Sequence, residues 1–174
     1  NFFIRYNKSI SIIRKVLNLN ENKFDKLVSP RKPYGITADF RGKRNQGKND
    51  LKIYQNKGYG FIEKTKVKQG NENISKHKIF ISKAYGAGEG FPHQLINVPF
   101  YGKPGDICTE TYLEIGPFKN KQECENAISY IKTKFFRFLV LMIKNTQNTS
   151  RSVYRIVPVQ NFENKLDDKK LYKK

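Results

Sequence analysis

The sequence has few of the residues that build metal centres and disulfide frameworks. Its 174 residues include two cysteines, Cys108 and Cys124, and two histidines, His77 and His93. The cysteines show no Cys-x-x-Cys spacing, which argues against a structural zinc site and against a disulfide framework. No serine or cysteine stands in a context that suggests a catalytic triad with either histidine. These absences point away from a zinc-stabilised fold and from triad catalysis.

Long apolar runs are absent as well. The longest apolar stretch, residues 135–143, is interrupted by Arg137 and falls short of the roughly 18 residues that a membrane helix requires. No signal peptide is recognisable at the N-terminus. We therefore expect a cytoplasmic protein without a membrane partner. Because the chain begins with Asn1 rather than methionine, we also expect it to be a piece of a longer protein.

Acidic residues are the third scarcity. The chain has 15 Asp and Glu against 34 Lys and Arg, which gives a net charge of +19, while hydrophobic residues make up 37% and aromatic residues 13%. This apolar content suffices for the core of one domain with a small appendage. A basic excess of this size favours a polyanionic partner, most often nucleic acid. A genome that enriches Lys and Asn everywhere would give the same bias, and this alternative stays open.

Hydrophobic periodicity predicts short strands in the first two thirds of the chain. Residues 51–67 are typical of a hairpin with its turn in "QNKG". Residues 77–85 and 108–116 each predict a further strand, and residues 86–106, which contain three prolines, are expected to be mostly irregular. Apolar residues at helical spacing predict a helix in 8–18 and a short helix in 21–28.

The clearest predicted element is one long amphipathic helix over residues 120–145. Asn120 and Glu123 form a capping pair at its start, and apolar residues follow at steps of three and four. Cys124 lies on this apolar face and is expected to be a small buried side chain. Lys132 and Lys144 are expected outside. The predicted fold class is therefore α+β, a mixed short-stranded sheet with a long helix packed on it.

A glycine-rich segment, "KAYGAGEGFPHQ" at residues 83–94, resembles the start of a nucleotide-binding loop. The Rossmann spacing fails because Phe91 stands where the third glycine belongs. Pro92 and Pro99 also leave no room for the helix whose N-terminus would bind a phosphate. The segment is better suited to a DNA groove, where lysine holds phosphates and polar side chains reach base edges, although an ordinary surface loop remains an alternative. The candidate DNA contacts in it are Lys83, Tyr85, Phe91, His93 and Gln94.

A second segment, "SPRKPYGITADFRGKRNQGK" at residues 29–48, interleaves basic and aromatic residues. Arginine can pair bidentately with guanine, and tyrosine can stack or reach a phosphate. The alternative is a solvated basic loop, which would still attract phosphate without sequence preference. The candidate DNA contacts in it are Arg31, Lys32, Tyr34, Arg41, Lys43 and Arg44.

The densest acidic group offers a different function. Metal-dependent nucleases use clustered carboxylates that hold divalent cations against a phosphate. Asp106, Glu110 and Glu114 form this group, and in a strand Glu110 and Glu114 would face the same way. A hydrogen-bonded or solvated strand face is the simpler interpretation, so the nuclease domain is kept as an alternative. A general nucleic-acid-binding module is the other alternative.

Several phrases together resemble a known family. "SPRKPYGI", "KIFISKAYGAGEGFPHQ", "ICTETYLEIGPF" and the long block at 127–162 are similar to the C-terminal region of adenine-specific DNA methyltransferases. These enzymes belong to bacterial restriction–modification systems, including fused methylase–endonuclease types. The similarity extends over about residues 27–173. The chain contains no Asn/Asp-Pro-Pro-Tyr/Phe tetrapeptide, the motif of the adenine pocket in that family.

The resemblance implies a domain organisation and a function. Residues 1–28 would link to an upstream methylase domain, residues 29–162 would be a DNA target-recognition domain, and residues 163–174 would be a charged tail. The upstream domain of the parent enzyme would bind S-adenosylmethionine, whereas this fragment would hold no cofactor and would itself be non-catalytic. Its partner would be double-stranded DNA, read by the basic loops while the long helix serves as scaffold.

Overall fold

The computed structural model describes residues 9–84, 95–144, 146 and 148–171, and in these residues two three-stranded sheets pack with a group of helices. The fold class is α+β, as predicted. In chain order the elements are α1 (Ile10–Asn18), β1 (Asp50–Gln55), β2 (Gly58–Glu63), α2 (Asn71–Ile74), β3 (His77–Ser82), β4 (Phe100–Gly102), β5 (Asp106–Cys108), β6 (Tyr112–Phe118), α3 (Lys121–Ile131), α4 (Lys134–Ile143) and α5 (Asp168–Leu171).

The N-terminal part forms the predicted helix but only part of the second one. α1 buries Ile13 and Val16 on one face and leaves Ile12 exposed, which is the expected amphipathic pattern. The predicted short helix is a single 3-10 turn, Phe24–Leu27. Tertiary contacts determine this turn, because the Phe24 ring is fully buried and its backbone N–H donates to the carbonyl of Val157 at 2.7 Å.

The predicted hairpin is confirmed as β1 and β2. The two strands pair antiparallel with Gln55 opposite Gly58, so the turn consists of Asn56 and Lys57. β5 joins the other edge of β1 in parallel, with Ile53 opposite Ile107. This first sheet therefore has the order β2-β1-β5.

The second sheet is antiparallel, with the order β4-β3-β6. The prediction of β3 is confirmed, whereas the stretch 108–116, predicted as one strand, belongs to β6 only from Tyr112 onward. Its first residue closes β5, and a turn at 109–111 separates it from β6. The hydroxyl of Thr109 stabilises this turn, because it donates to the hydroxyl of Thr111 at 3.0 Å and accepts from the backbone N–H of Thr111 at 3.4 Å. β4 lies in the segment that was expected to be irregular.

The predicted long helix is also wrong, because it is broken at Thr133 into α3 and α4. The Thr133 backbone is extended, and its hydroxyl donates to the carbonyl of Tyr130 at 2.7 Å and accepts from the N–H of Phe136 at 3.2 Å. Thr133 therefore acts as the N-cap of α4. The Asp168 carboxylate accepts two further N–H groups of the same helix end, at 3.0 and 3.1 Å.

The predicted start of this helical region is confirmed. The Asn120 side chain accepts from the N–H of Glu123 at 2.9 Å, and Cys124 is fully buried. Lys132 is exposed as expected. Lys144 is not, because it is buried and its ammonium group donates to the carbonyl of Leu95.

Two apolar cores lie on the two faces of β3. Ile79 and Ile81 belong to the larger core, which α1, α3, α4 and the aromatic residues around Phe24 complete. Phe80, which points the other way, belongs to the smaller core with Ile53 of β1 and Ile107 of β5. β3 is therefore the strand that both cores share. Among the described residues, no helix is long and apolar enough to cross a membrane.

A buried lysine connects the two sheets. The Lys78 side chain of β3 is fully buried, and its ammonium group donates to the carbonyls of Ile74 at 2.9 Å and Asp106 at 3.0 Å. Burial lowers the pKa of Lys78 below its ordinary value. Because Asp106 begins β5, these hydrogen bonds fix the position of the first sheet against the second.

Candidate nucleic-acid interface

A cleft of about 620 Å³ lies at the C-terminal end of β3. It is formed by β3, the turn before β6, the tip of the β1–β2 hairpin and the segment after α4. Its polar lining includes Arg31, Asn56, Lys83, Glu110, Asn148 and Arg151. Three of these side chains are cationic and one is a carboxylate.

Backbone pairing builds the wall of this cleft. The N–H of Lys83 donates to the carbonyl of Thr111 at 3.0 Å, and the carbonyl of Lys83 accepts from the N–H of Thr149 at 2.8 Å. The pairing continues in a bridge between Ala84 and Asn148. Residues 148–151 therefore lie beside the end of β3 and bring their polar side chains to the cleft.

Glu110 binds the basic segment that follows the 3-10 turn. Its Oε2 accepts from Nε of Arg31 at 2.9 Å, and its Oε1 accepts from the N–H of Ala38 at 3.4 Å. Lys32 Nζ lies 3.9 Å from the same Oε2. The hydrogen bond from Arg31 holds the pKa of Glu110 below its ordinary value. The carboxylate is therefore anionic at neutral pH and is bound by Arg31.

The other two cations of the cleft lie on the segments that pair at the end of β3. Lys83 is half-buried, and this burial lowers its pKa, while the nearby Glu110 opposes the shift. Arg151 is exposed, and its Nε donates to the carbonyl of Asp25 at 2.8 Å. The Lys83 backbone is thus paired on both sides, and the Arg151 guanidinium is bound at one nitrogen.

Three of the predicted contacts come together and one does not reach the surface. Arg31 and Lys83 line the cleft, and Lys32 lies beside it through its approach to Glu110. Tyr34, in contrast, is 1% exposed and its hydroxyl donates to the Glu114 carboxylate. Burial raises its pKa above the ordinary range for tyrosine. The expectation that this ring stacks on or contacts DNA is therefore corrected, because the ring is part of the smaller core.

Arg41, Lys43 and Arg44 lie elsewhere, along β2. Lys43 forms a bridge with Phe61, with N–H to carbonyl distances of 2.8 and 2.9 Å. Its ammonium group lies 2.8 Å from the Glu63 carboxylate and 3.4 Å from that of Asp50. Glycine allows this close approach, since a Cβ on Gly60 would lie 2.8 Å from the Cα of Gly42. These cations do not line the cleft as the described residues define it.

The remaining predicted contacts lie outside the described residues. They are Tyr85, Phe91, His93 and Gln94. On either side of this segment in the sequence, Ala84 and Asn97 are joined, because the Asn97 amide donates to the Ala84 carbonyl at 2.6 Å.

The three carboxylates of the nuclease alternative have separate partners. Asp106 accepts from the N–H of Lys103 at 3.1 Å, and Glu114 accepts from the Asn73 amide at 2.8 Å. Glu110 precedes β6 rather than sharing its face. Across the part of the chain that the structure describes, no group of three or more His, Cys, Asp or Glu side chains could hold a metal ion. The expected shared carboxylate face is therefore absent from these residues.

Sequence reasoning missed several polar residues of the cleft. Asn56 was assigned only to a hairpin turn, although the fold brings this turn to the end of β3. Asn148, Ser150 and Arg151 also line the cleft. The one signal for them is the polar run "NTSR" at 148–151 directly after an apolar helix, and it gave no indication of the strand it would lie against.

No protein-family model matches this chain, and no curated protein matches it significantly. The chemistry of the cleft is therefore the basis for a functional conclusion. Cations that are held by backbone or carboxylate contacts can bind phosphate oxygens, and neighbouring amides can donate to and accept from base edges.

Proposed function

We propose that this chain is a DNA target-recognition domain, which binds a specific duplex sequence on behalf of a cytoplasmic adenine-specific methyltransferase. The observation that carries the proposal is the cleft at the end of β3, where Arg31, Lys83 and Arg151 converge with the amides of Asn56 and Asn148. The net charge of +19 supports it, and so does the resemblance of residues 27–173 to the C-terminal region of these enzymes.

The two classes of side chain would have different tasks. Lys83 and Arg151 would neutralise phosphates, which orients the duplex and makes affinity fall with salt. Asparagine can donate and accept at once, which matches the N6 and N7 atoms of adenine in the major groove. Asn56 and Asn148, on two different elements, are suited to this reading of base edges.

The catalytic step would belong to another part of the parent protein. Enzymes that modify a base extrude it from the duplex into their own pocket. In the proposed parent, an upstream domain would bind S-adenosylmethionine and accept the extruded adenine, while this chain would hold the flanking base pairs. The absence of an Asn/Asp-Pro-Pro-Tyr/Phe tetrapeptide in this sequence agrees with that division.

Selection from a pool of duplexes with a randomised central segment tests the DNA-binding part of the proposal. The 174-residue chain should enrich one short sequence motif. Enrichment of no motif, with equal binding to unrelated duplexes and RNA, would instead support a general polyanion-binding module. Magnesium-dependent cleavage of the pool would favour the nuclease alternative.

A second assay tests the link to methylation. A version of the protein that includes its upstream sequence should transfer labelled methyl groups from S-adenosylmethionine to adenines in DNA. The methylated site should coincide with the motif that the 174-residue chain selects. Methylation at an unrelated sequence would separate the two activities and remove the target-recognition role.

A further inference from the structure

Glu110 holds Arg31 by one edge of its guanidinium group. The contact runs from Nε of Arg31 to Oε2 of Glu110 at 2.9 Å. Among the described residues, neither Nη1 nor Nη2 of Arg31 has a hydrogen-bond partner, and the side chain is 74% exposed. Arginine has five N–H donors in a planar fork. The terminal fork is therefore presented to the cleft with its plane constrained by the carboxylate.

The carboxylate that holds it is itself fixed. The backbone N–H of Glu110 donates to the carbonyl of Ile36 at 2.8 Å, and its Oε1 accepts from the N–H of Ala38 at 3.4 Å. Its side chain is only 11% exposed. Both oxygens are thus engaged by the segment that carries Arg31, so Glu110 fixes the direction in which the guanidinium points.

Arg41 shows the contrasting arrangement. Its Nη1 donates to the carbonyls of Ala38 at 2.9 Å and Phe40 at 2.8 Å. One arm of its terminal fork is therefore occupied by the protein's own backbone. Of these two arginines, only Arg31 keeps both terminal nitrogens available for a bidentate ligand in the described structure.

The charge of Glu110 decides which bidentate ligand fits. A phosphate bound by the Nη1 and Nη2 atoms would bring a second negative charge towards the Glu110 carboxylate, and like charges repel. The N7 and O6 atoms of guanine form a neutral pair of acceptors, for which arginine is the commonest specific partner. The terminal nitrogens of Arg31, oriented by Glu110, are therefore better suited to the edge of a guanine than to a DNA phosphate.

We propose that Arg31 reads a guanine in the major groove through Nη1 and Nη2, and that Glu110 is the positioning residue that orients it. This inference rests on the proposed function, because it names one base of the sequence that the cleft would recognise. Arg151, whose Nε is held by the carbonyl of Asp25 rather than by a carboxylate, is assigned to a phosphate instead.

The test repeats the duplex selection with the unmodified chain, Arg31→Lys and the matched control Arg14→Lys, an exposed arginine of α1 outside the cleft lining. The unmodified chain should select a motif that contains at least one invariant guanine. Arg31→Lys should reduce the preference for that guanine by about tenfold or more, because lysine is a point charge without a planar fork. Arg14→Lys should leave both the motif and the affinity unchanged. A guanine analogue in which carbon replaces N7 should weaken DNA binding by the unmodified chain when it stands at that one position. The same analogue should leave binding by Arg31→Lys almost unchanged.

Glu110→Gln tests the positioning role with a readout that a purely structural role would not change. Glutamine keeps the acceptor for Ala38 but loses the charge that holds Arg31. The preference for the guanine should fall, while affinity for unrelated duplexes should stay constant or rise, since a negative charge has left the cleft. Equal weakening on all duplexes would remove the positioning role, and thermal unfolding would show whether lost stability explains it.

The outcomes separate this inference from the proposed function. A motif that survives in Arg31→Lys with its guanine intact leaves the target-recognition role standing and overturns the assignment of Arg31. If Arg31→Lys loses affinity equally for all duplexes, Arg31 contacts a phosphate, and its assignment to a guanine is overturned as well. Failure of the unmodified chain to select any motif overturns both proposals together.

Discussion

Tyr34 donates its phenolic hydrogen to the carboxylate of Glu114, and this contact joins the basic segment 29–48 to β6. The same stretch of β6 binds Ser29, whose N–H donates to the Glu114 carbonyl at 2.8 Å and whose hydroxyl accepts from the Glu114 N–H at 3.0 Å. Arg31 lies between these two anchors. The position of Arg31, the proposed guanine-reading residue, therefore depends on the buried contact between Tyr34 and Glu114.

Replacing Tyr34 with phenylalanine should destabilise the fold. The ring would still fill its site, but Glu114 would lose one of its two side-chain donors and keep only the Asn73 amide. A buried acceptor that loses its partner costs about 1–3 kcal/mol. Urea denaturation should show this decrease in the free energy of unfolding. Tyr59→Phe is the matched control, because Tyr59 is 57% exposed and the same change there should stay within about 0.5 kcal/mol.

The buried carboxylate also makes stability depend on pH. Burial raises the pKa of Glu114 above its ordinary value of 4.5, although hydrogen bonding from Tyr34 opposes this shift. The folded state therefore retains a proton that the unfolded state has already lost, so this group lowers stability as pH rises from 4.5 through the raised pKa. Above that pKa the effect is constant.

Glu114→Gln isolates this contribution, because the amide has the shape of the protonated acid but does not titrate. The free energy of unfolding of the natural protein, minus that of the variant, should decrease with rising pH from pH 4.5 upward. Denaturant titrations at several pH values between acidic and neutral conditions measure it. A difference that stays constant above pH 4.5 and rises only below it would mean that the pKa is depressed rather than raised.

Sequence patterns predicted those parts of the fold that are determined by residues close together in the chain. The hairpin follows from alternation and a two-residue turn, and the Asn120 cap follows from a residue pair three positions apart. The break at Thr133 could not be found in this way. Apolar spacing continues through it, and the break depends on Asp168, which lies 34 positions from Lys134 and caps α4 from the C-terminal part of the chain.

The candidate site shows the same division. The basic character of segment 29–48 was visible in the sequence, but the fate of each side chain was decided by a distant partner. Tyr34 is buried and donates to Glu114, whereas Arg31 donates to Glu110 and stays exposed. Both acceptors lie about 80 positions further along the chain. Asn56 and Arg151 reach the cleft only because separate elements meet at the end of β3.

The cap at the helix break gives a third prediction. Thr133→Ala removes the hydroxyl that accepts from Phe136 and donates to Tyr130, so the free energy of unfolding should fall by about 1–2 kcal/mol. Thr133→Ser keeps the hydroxyl and should recover most of this loss. Chemical denaturation of both variants measures the difference. If alanine and serine were equally destabilising, the methyl group in the core, rather than the cap, would be the important part of Thr133.

The salt dependence of DNA binding gives the fourth prediction and tests where the charge acts. The double variant Lys83→Ala, Arg151→Ala removes two cations from the cleft, and the slope of log affinity against log salt should become shallower by about 2. The matched control is Lys121→Ala, Lys132→Ala, which removes two cations from α3 and its C-terminus, outside the cleft lining. Fluorescence anisotropy with a labelled duplex over a range of salt concentrations measures both slopes.

The control should keep nearly the natural slope, because its cations are away from the bound phosphates. Equal changes in the two double variants would place the binding energy in the overall charge of the protein rather than in the cleft, since only contacts at defined phosphates release a defined number of counterions.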